Sequence, residues 1–266
     1  MQPLRLSQNS RMIVIYPVRT IQQNTQAAAR FEALCAALSV YGRVERMGRD
    51  EMAPGFADHA DLVIALGGDG TTLAVARYLE KTPLLSLKLN DDSVGYLCSG
   101  EASLLTGRVS RLFDGGATCI ARQRMSLVVN GEVMGYPVYN DILIAHGCPA
   151  RATHYVLSGE NMRETHCSSG IWLATATGSH AAARAAGAKP LEDDDTRFLF
   201  RVREIGYADV PDPTVGWTFD AEHSPTIHAI DSRLVAFGDG DLWHVPIPDG
   251  ADIRVKASIP LFVVRL

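Results

Sequence analysis

Short apolar runs alternate with stretches of helical spacing over the first ninety or so residues. Residues 12–16, MIVIY, are an apolar run rich in β-branched side chains, and Ala27, Ala28, Phe31, Leu34, Cys35 and Leu38 then recur at the interval that lines one face of a helix. The spacing predicts a strand followed by a helix. Residues 43–47 read as a short strand and 61–66 as a stronger one. Residues 72–79 read as a helix with Leu73, Ala76 and Leu79 turned inward, and 84–89 as the next strand. Strands separated by helices need crossover connections and therefore pair in parallel. An N-terminal doubly wound α/β domain over residues 1–117 is expected.

Beyond Gly115-Gly116 the period changes. Residues 125–129 and 133–138 flank Asn130-Gly131, a pair that accepts positive φ at both centres of a tight hairpin turn. Residues 141–145, 171–174, 198–202 and 233–237 are further short strands, and Gly238-Asp239-Gly240 turns a second hairpin into 242–247. One small-residue helix is expected at about 179–187. Residues 118–266 are thus predicted to form a β-rich, sandwich-like domain, with a last strand free to return to the first.

Composition narrows the function. With 25 Lys+Arg against 30 Asp+Glu in 266 residues, no nucleic-acid surface working by bulk charge is expected. Five cysteines, never spaced CxxC, encode neither a disulfide framework nor a zinc ribbon, and a cytoplasmic protein is expected. The first eleven residues carry two arginines but no apolar core of a signal peptide, and no stretch approaches the roughly 20 apolar residues of a membrane span. No membrane partner is expected; a very short transit peptide stays open. The acidic run Asp193-Asp194-Asp195 reads as a solvated loop.

The chemistry-bearing stretch is Gly67-Gly68-Asp69-Gly70-Thr71 at the end of an apolar strand. Backbone N–H groups at a helix start, with no side chains in the way, receive phosphate. The same turn could simply be capped by Asp69. An acid inside a phosphate loop repels phosphate unless it holds a metal or takes a proton from an attacking hydroxyl, and both are kinase tasks.

GGDGT after an apolar strand resembles the hallmark of the NAD kinase and diacylglycerol kinase superfamily, and three further segments resemble NAD kinases in particular. They are LKLNDDSVGYL at 87–97, YNDILIA at 139–145, similar to the family's Asn-Glu strand, and TATGSHA at 175–181, similar to its Thr-Pro-Thr-Gly-Ser-Thr-Ala segment. The resemblance covers roughly residues 12–266. Ser168-Ser169-Gly170 in place of the common Asp-Gly, Ala176 in place of proline, PARATHY at 149–155 and FLFRVRE at 198–204 resemble the mitochondrial-type branch. Two departures bear on the substrate: Asp141 is one carbon shorter than the usual glutamate, and Ala182 stands where an aromatic commonly stacks on the nucleotide.

The resemblance implies ATP-dependent phosphorylation of the adenosine ribose 2′-hydroxyl of NAD to give NADP. Mg2+ or another divalent cation would be the cofactor, ATP the donor, and the protein a homo-oligomer, dimer or tetramer. It implies Asp69 as catalytic acid-base residue, Gly67, Gly68, Gly70 and Thr71 on phosphate, and Asn140 and Asp141 on the dinucleotide. Thr175, Thr177, Gly178 and Ser179 would form a second strand-to-helix turn on phosphate or adenine. On the residues alone, the Asn-Asp pair could cap a strand end and the Thr-Ser turn could be capping. Tyr96 could stack on a base or pack in the core, and Arg124 and Arg151 are candidate clamps on charge only. No metal ligand is singled out; His154 and His166-Cys167 make no metal constellation. Two other functions stay open: a diacylglycerol-kinase-like lipid kinase and a non-catalytic dinucleotide sensor.

Overall fold

The computed structural model describes residues 2–90, 95–160 and 162–266. They divide into two compact units, Met1–Arg122 with Pro260–Leu266, and Gln123–Ile259.

In the first unit the strands Arg43–Gly48, Arg11–Tyr16, Leu62–Leu66 and Leu84–Lys88 lie side by side in that order, all parallel. Leu62–Leu66 is buried at all five positions, which fits a strand covered on both faces. The helix Thr25–Ser39 starts where the Asn24 side chain accepts the Ala27 N–H at 2.9 Å, and it buries the face of Ala27, Phe31, Leu34, Cys35 and Leu38. From Arg11–Tyr16 the chain crosses to one neighbour, and from Leu62–Leu66 to the neighbour on the other side. Connections leaving two adjacent strands in opposite directions open a crevice at their carboxyl ends, the usual ligand site of an open α/β sheet. The glycine loop follows Leu66 directly.

The helix predicted over 72–79 is Asp69–Ala76. It begins at once after the extended Gly68 and passes into tighter turns, with Tyr78 N–H on the Val75 carbonyl and Leu79 N–H on that of Ala76. Val263 in the last strand, Asp252–Arg265, pairs in parallel with Leu84.

The second unit is a sandwich. One antiparallel sheet runs Gly216–Phe219, Phe198–Val202, Ile171–Ala174, Asp141–His146, Leu234–Gly238, Trp243–Ile247. The other includes Ile205–Ala208, Met162–Ser168, Thr153–Gly159 and Thr226–Ala229, with Asp252 and Ile253 paired on the last of these. Ile142, Ile144, Leu173 and Phe200 from the first sheet and Tyr155, Leu157 and Ile227 from the second share one core. The Asn130-Gly131 turn has φ of 50° and 88°, the geometry that this pair favours.

Several elements differ from expectation, among them a hairpin and a helix. The hairpin Thr153–Gly159 and Met162–Ser168 escapes the apolar pattern because its second strand turns Glu164, His166 and Ser168 inward. Glu164 Oε2 and His166 Nε2, 2.8 Å apart, satisfy one another there. The small-residue helix shrinks to a 3-10 turn, Gly178–His180, and a single helical turn, Ala182–Ala185. No helix among the described residues is long and apolar enough to cross a membrane.

Candidate active site

The glycines of the first loop have different causes. Gly67 has φ 154° and its N–H bonds the Leu87 carbonyl at 2.9 Å, while a Cβ there would strike the Thr71 side chain. The chain's own packing requires it. At Gly70 a Cβ would meet nothing within 4 Å, yet glycine in a helix interior costs about 1 kcal/mol against alanine. A glycine that weakens its helix and meets no internal need leaves room for a ligand to approach the backbone. The first turn of a helix also has N–H groups with no partner inside it, here those of Asp69 and Gly70, since the Thr71 and Thr72 N–H groups bond the Gly68 carbonyl at 3.1 and 3.2 Å.

Asp69 does not cap its helix: the cap position is Gly68, with no side-chain bond. Its carboxylate reaches instead to residues 95–98. Oδ1 accepts the Leu97 N–H at 2.8 Å and Oδ2 the Tyr96 N–H at 3.2 Å. One amide on each oxygen leaves acceptor capacity on both. The Cys98 thiol donates to the Gly67 carbonyl at 3.6 Å, and burial, followed by the Asp69 charge, pushes it up to about 11, so it is a neutral donor at ordinary pH. Thr71 is buried, and the Thr72 hydroxyl donates to the Gly68 carbonyl at 3.3 Å. Residues 91–94 of the motif at 87–97 lie outside the described residues.

In the second unit the focus is Tyr139-Asn140-Asp141, at the start of strand Asp141–His146. Asp239 is 3% exposed; its Oδ2 accepts the Tyr139 N–H at 3.1 Å, its Oδ1 the Asn140 N–H at 2.7 Å, and its own N–H donates to the Asp141 carbonyl at 2.9 Å. The Asn140 side-chain amide donates to Asp141 Oδ2 at 3.4 Å. Burial, and then the Asp239 charge, push Asp141 up to about 7. Burial also raises Asp239, to about 6, against the backbone N–H groups of 139–141 and the charge of Arg124.

The Thr-Ser turn locks onto the same segment. Thr175 donates its hydroxyl to the Tyr139 carbonyl at 2.7 Å, accepts the Gly178 N–H at 3.1 Å, and gives its own N–H to the Asn140 carbonyl at 3.1 Å. Gly178 lies so close to the Asn140 carbonyl that a Cβ would collide with it. Ser179 donates to the Ala176 carbonyl at 2.6 Å and accepts the Leu191 N–H at 2.9 Å. Thr175 and Ser179 thus commit their hydroxyls to the fold. Thr177 keeps a hydroxyl with no partner among the described residues.

Asp69 and its glycines belong to the first unit, and Asn140, Asp141 and residues 175–179 to the second. Of the other candidates, Tyr96 is 53% exposed and Arg151 is exposed, whereas Arg124 is fully buried with Nε on the Ile259 carbonyl at 2.8 Å and is no surface clamp. Ala182 opens the short helix, half-buried. His154 pairs with Asp231, and among the described residues no three His, Cys, Asp or Glu side chains are grouped to hold a metal. Sequence reasoning took Asp239 for a turn residue. The available signal was that Gly238-Asp239-Gly240 repeats Gly68-Asp69-Gly70.

Residues 5–116 match the family model of the ATP-NAD kinase N-terminal domain. The NAD kinase of Thermococcus sibiricus is 34% identical over 202 residues, 74% of this chain and 70% of that protein. The chain belongs to the NAD kinase family. A probable NADH kinase of rice is 27% identical over 244 residues, 82% of this chain and 74% of its own length. The crystal structure of an NAD kinase from Archaeoglobus fulgidus in complex with ATP has the same fold, with a TM-score of 0.72 over 95% of this chain and 92% of that one at 18% identity. The glycine loop lies in the α/β unit, and the Asn-Asp strand and the Thr-Ser turn in the β-rich one.

The burial of Asp141 is expected to couple the stability of this NAD kinase to pH. Its carboxyl lies above its ordinary 3.8 in the fold, so the protonated form is favoured there, and the stability it contributes is full below about pH 4 and lost as pH rises towards 7. Asp141→Asn removes the ionisation. In melting curves at pH 5 and pH 8, the variant should lose less stability than the parent on going to the higher pH.

Proposed function

We propose that this chain transfers the γ-phosphoryl group of ATP to the 2′-hydroxyl of the adenosine ribose of NAD, giving NADP and ADP in a reducing, cytoplasmic setting. The observation that carries this reading is the Asp69 carboxylate, fixed by the amides of Tyr96 and Leu97 beside a helix start that Gly70 leaves open. The names of the relatives support it.

The ribose oxygen forms a bond to the γ-phosphorus, the bond from that phosphorus to the β,γ-bridging oxygen breaks, and the hydroxyl proton passes to Asp69. Proton transfer of this kind contributes about 10²–10⁴-fold; alignment and stabilisation of charge supply the rest. Backbone N–H groups at Gly68 and Gly70 and the hydroxyl of Thr71 serve the phosphates, with Gly67 allowing the turn. Asn140 offers its amide and Asp141 its carboxyl to the dinucleotide, and at neutral pH an Asp141 raised to about 7 spends much of its time as a hydrogen-bond donor. Thr177 adds a hydroxyl that has no partner among the described residues.

The residues fit Mg2+ only together with phosphate. Asp69 provides one carboxylate with acceptor capacity to spare, and Mg2+ is commonly bound through one or two carboxylates plus substrate phosphates. A divalent cation, when bound, would neutralise charge on the phosphates.

Incubation with ATP, Mg2+ and NAD should yield NADP. Turnover of a diacylglycerol with none of NAD would move the protein to the lipid kinases. Asp69→Asn should keep the melting temperature within a few degrees and lower kcat by about 10²-fold or more; a variant that turns over within a few-fold of the parent would reduce Asp69 to a tie for residues 95–98.

Gly70→Ala separates fold from function. The added methyl meets only open space, so stability should hold or rise by up to about 1 kcal/mol, while the KM for ATP should increase tenfold or more. An unchanged KM for ATP would put the phosphates elsewhere.

A further inference from the structure

A tight hairpin turn needs no buried carboxylate. Asp-Gly fits such a turn through its backbone alone, with the side chain free to face water. Asp239, at φ 50° and followed by Gly240 at 79°, has the backbone of that turn, yet its side chain is nearly sealed from solvent. Burying a charge is costly unless it is met by donors, so the interactions it makes there are informative.

We propose that Asp239 is a positioning residue of the acceptor site: its carboxylate fixes the segment from which Asn140 and Asp141 present their side chains to the dinucleotide. The inference rests on the reading of Asn140 and Asp141 as dinucleotide contacts.

The geometry is that of a clamp. The Asn140 N–H is held by Asp239 Oδ1 at 2.7 Å, and the Asn140 carbonyl is held by the Thr175 N–H at 3.1 Å, with Gly178 pressed against it. Both backbone groups of Asn140 are therefore fixed, and the amide on its side chain starts from a rigid base. The second oxygen of Asp239 takes the Tyr139 N–H, and the Asp239 N–H takes the Asp141 carbonyl. Three successive residues are thus held through one aspartate, which accepts the N–H groups of the first two and gives its own N–H to the third. The charge that acts on it is the fully buried Arg124, and the Asp239 charge in turn raises Asp141. Removing the Asp239 charge should alter both the aim and the ionisation of the acceptor contacts. A preorganised contact of this sort acts on the substrate it aims at and leaves the other substrate alone.

The test is steady-state kinetics on the full chain, each substrate varied at saturating levels of the other, with melting curves and a pH profile of kcat/KM for NAD. Asp239→Asn is nearly isosteric and keeps one of the two acceptors. It should lower kcat/KM for NAD by about tenfold or more, leave the KM for ATP within twofold, and move the limb that belongs to Asp141 to lower pH. Asp239→Glu keeps the charge but displaces it by a methylene; it should lose kcat/KM for NAD while retaining more of the pH limb. Asn140→Ala and Asp141→Asn serve as controls. If neither control alters NAD kinetics, the acceptor reading itself fails. If the controls act and Asp239→Asn does not, or if it weakens both substrates equally in step with a large fall in melting temperature, Asp239 is ordinary scaffold and the inference is overturned.

Discussion

The interaction on which both halves of the molecule depend is one aspartate carboxylate received by two consecutive backbone amides of a segment far away in sequence. Asp69 does this with Tyr96 and Leu97, and Asp239 with Tyr139 and Asn140. Loop amides that leave water must find acceptors or cost about 1–3 kcal/mol each, and a carboxylate can serve two at once with charge-assisted bonds. In both units a loop that would otherwise be loosely held is tied to the end of a buried strand, Leu62–Leu66 in one and Leu234–Gly238 in the other.

The two aspartates differ in what surrounds them. Asp69 is half-buried, beside an exposed Gly70, so its spare lone pairs can reach a substrate. Asp239 is sealed in with Asp141 and balanced by Arg124. Two buried acids so close together cannot both ionise freely, and Asp239 has the amides. Asp141, with one long side-chain contact, from Asn140, among the described residues, is pushed further towards neutrality than Asp239. The identity of the hydrogen-bond partners, rather than burial as such, divides the labour between them.

Much of the fold could be read from the chain because apolar spacing and backbone constraint agree there. The parallel half announces itself in runs such as Leu62–Leu66, and the Asn130-Gly131 turn in a residue pair with few other uses. The failures have a common cause, which is polar groups serving the fold. Glu164, His166 and Ser168 point inward and hide a strand from any search for apolar alternation. Thr175 and Ser179 look like ligand hydroxyls in sequence, but besides local bonds to Gly178 and Ala176 they are occupied by Tyr139 and Leu191, whose proximity only the fold creates. Asp239 was missed for the converse reason: its turn is legible, while its partners lie about a hundred residues upstream.

The strand Asp252–Arg265 carries a consequence for how the chain is made. Val263 pairs with Leu84, the Val264 carbonyl accepts the Ser99 hydroxyl at 2.6 Å, and the Val264 side chain is fully buried in the core of the first unit. That unit is therefore not finished when its own leading segment leaves the ribosome. Through the synthesis of all the intervening residues one flank of its parallel sheet lacks its neighbour, and an unpaired strand edge is prone to wrong pairing. Leu84 and the Ser99 hydroxyl gain these partners only when residues 263 and 264 have been made, and in the case of Ser99 the partner follows 165 residues later.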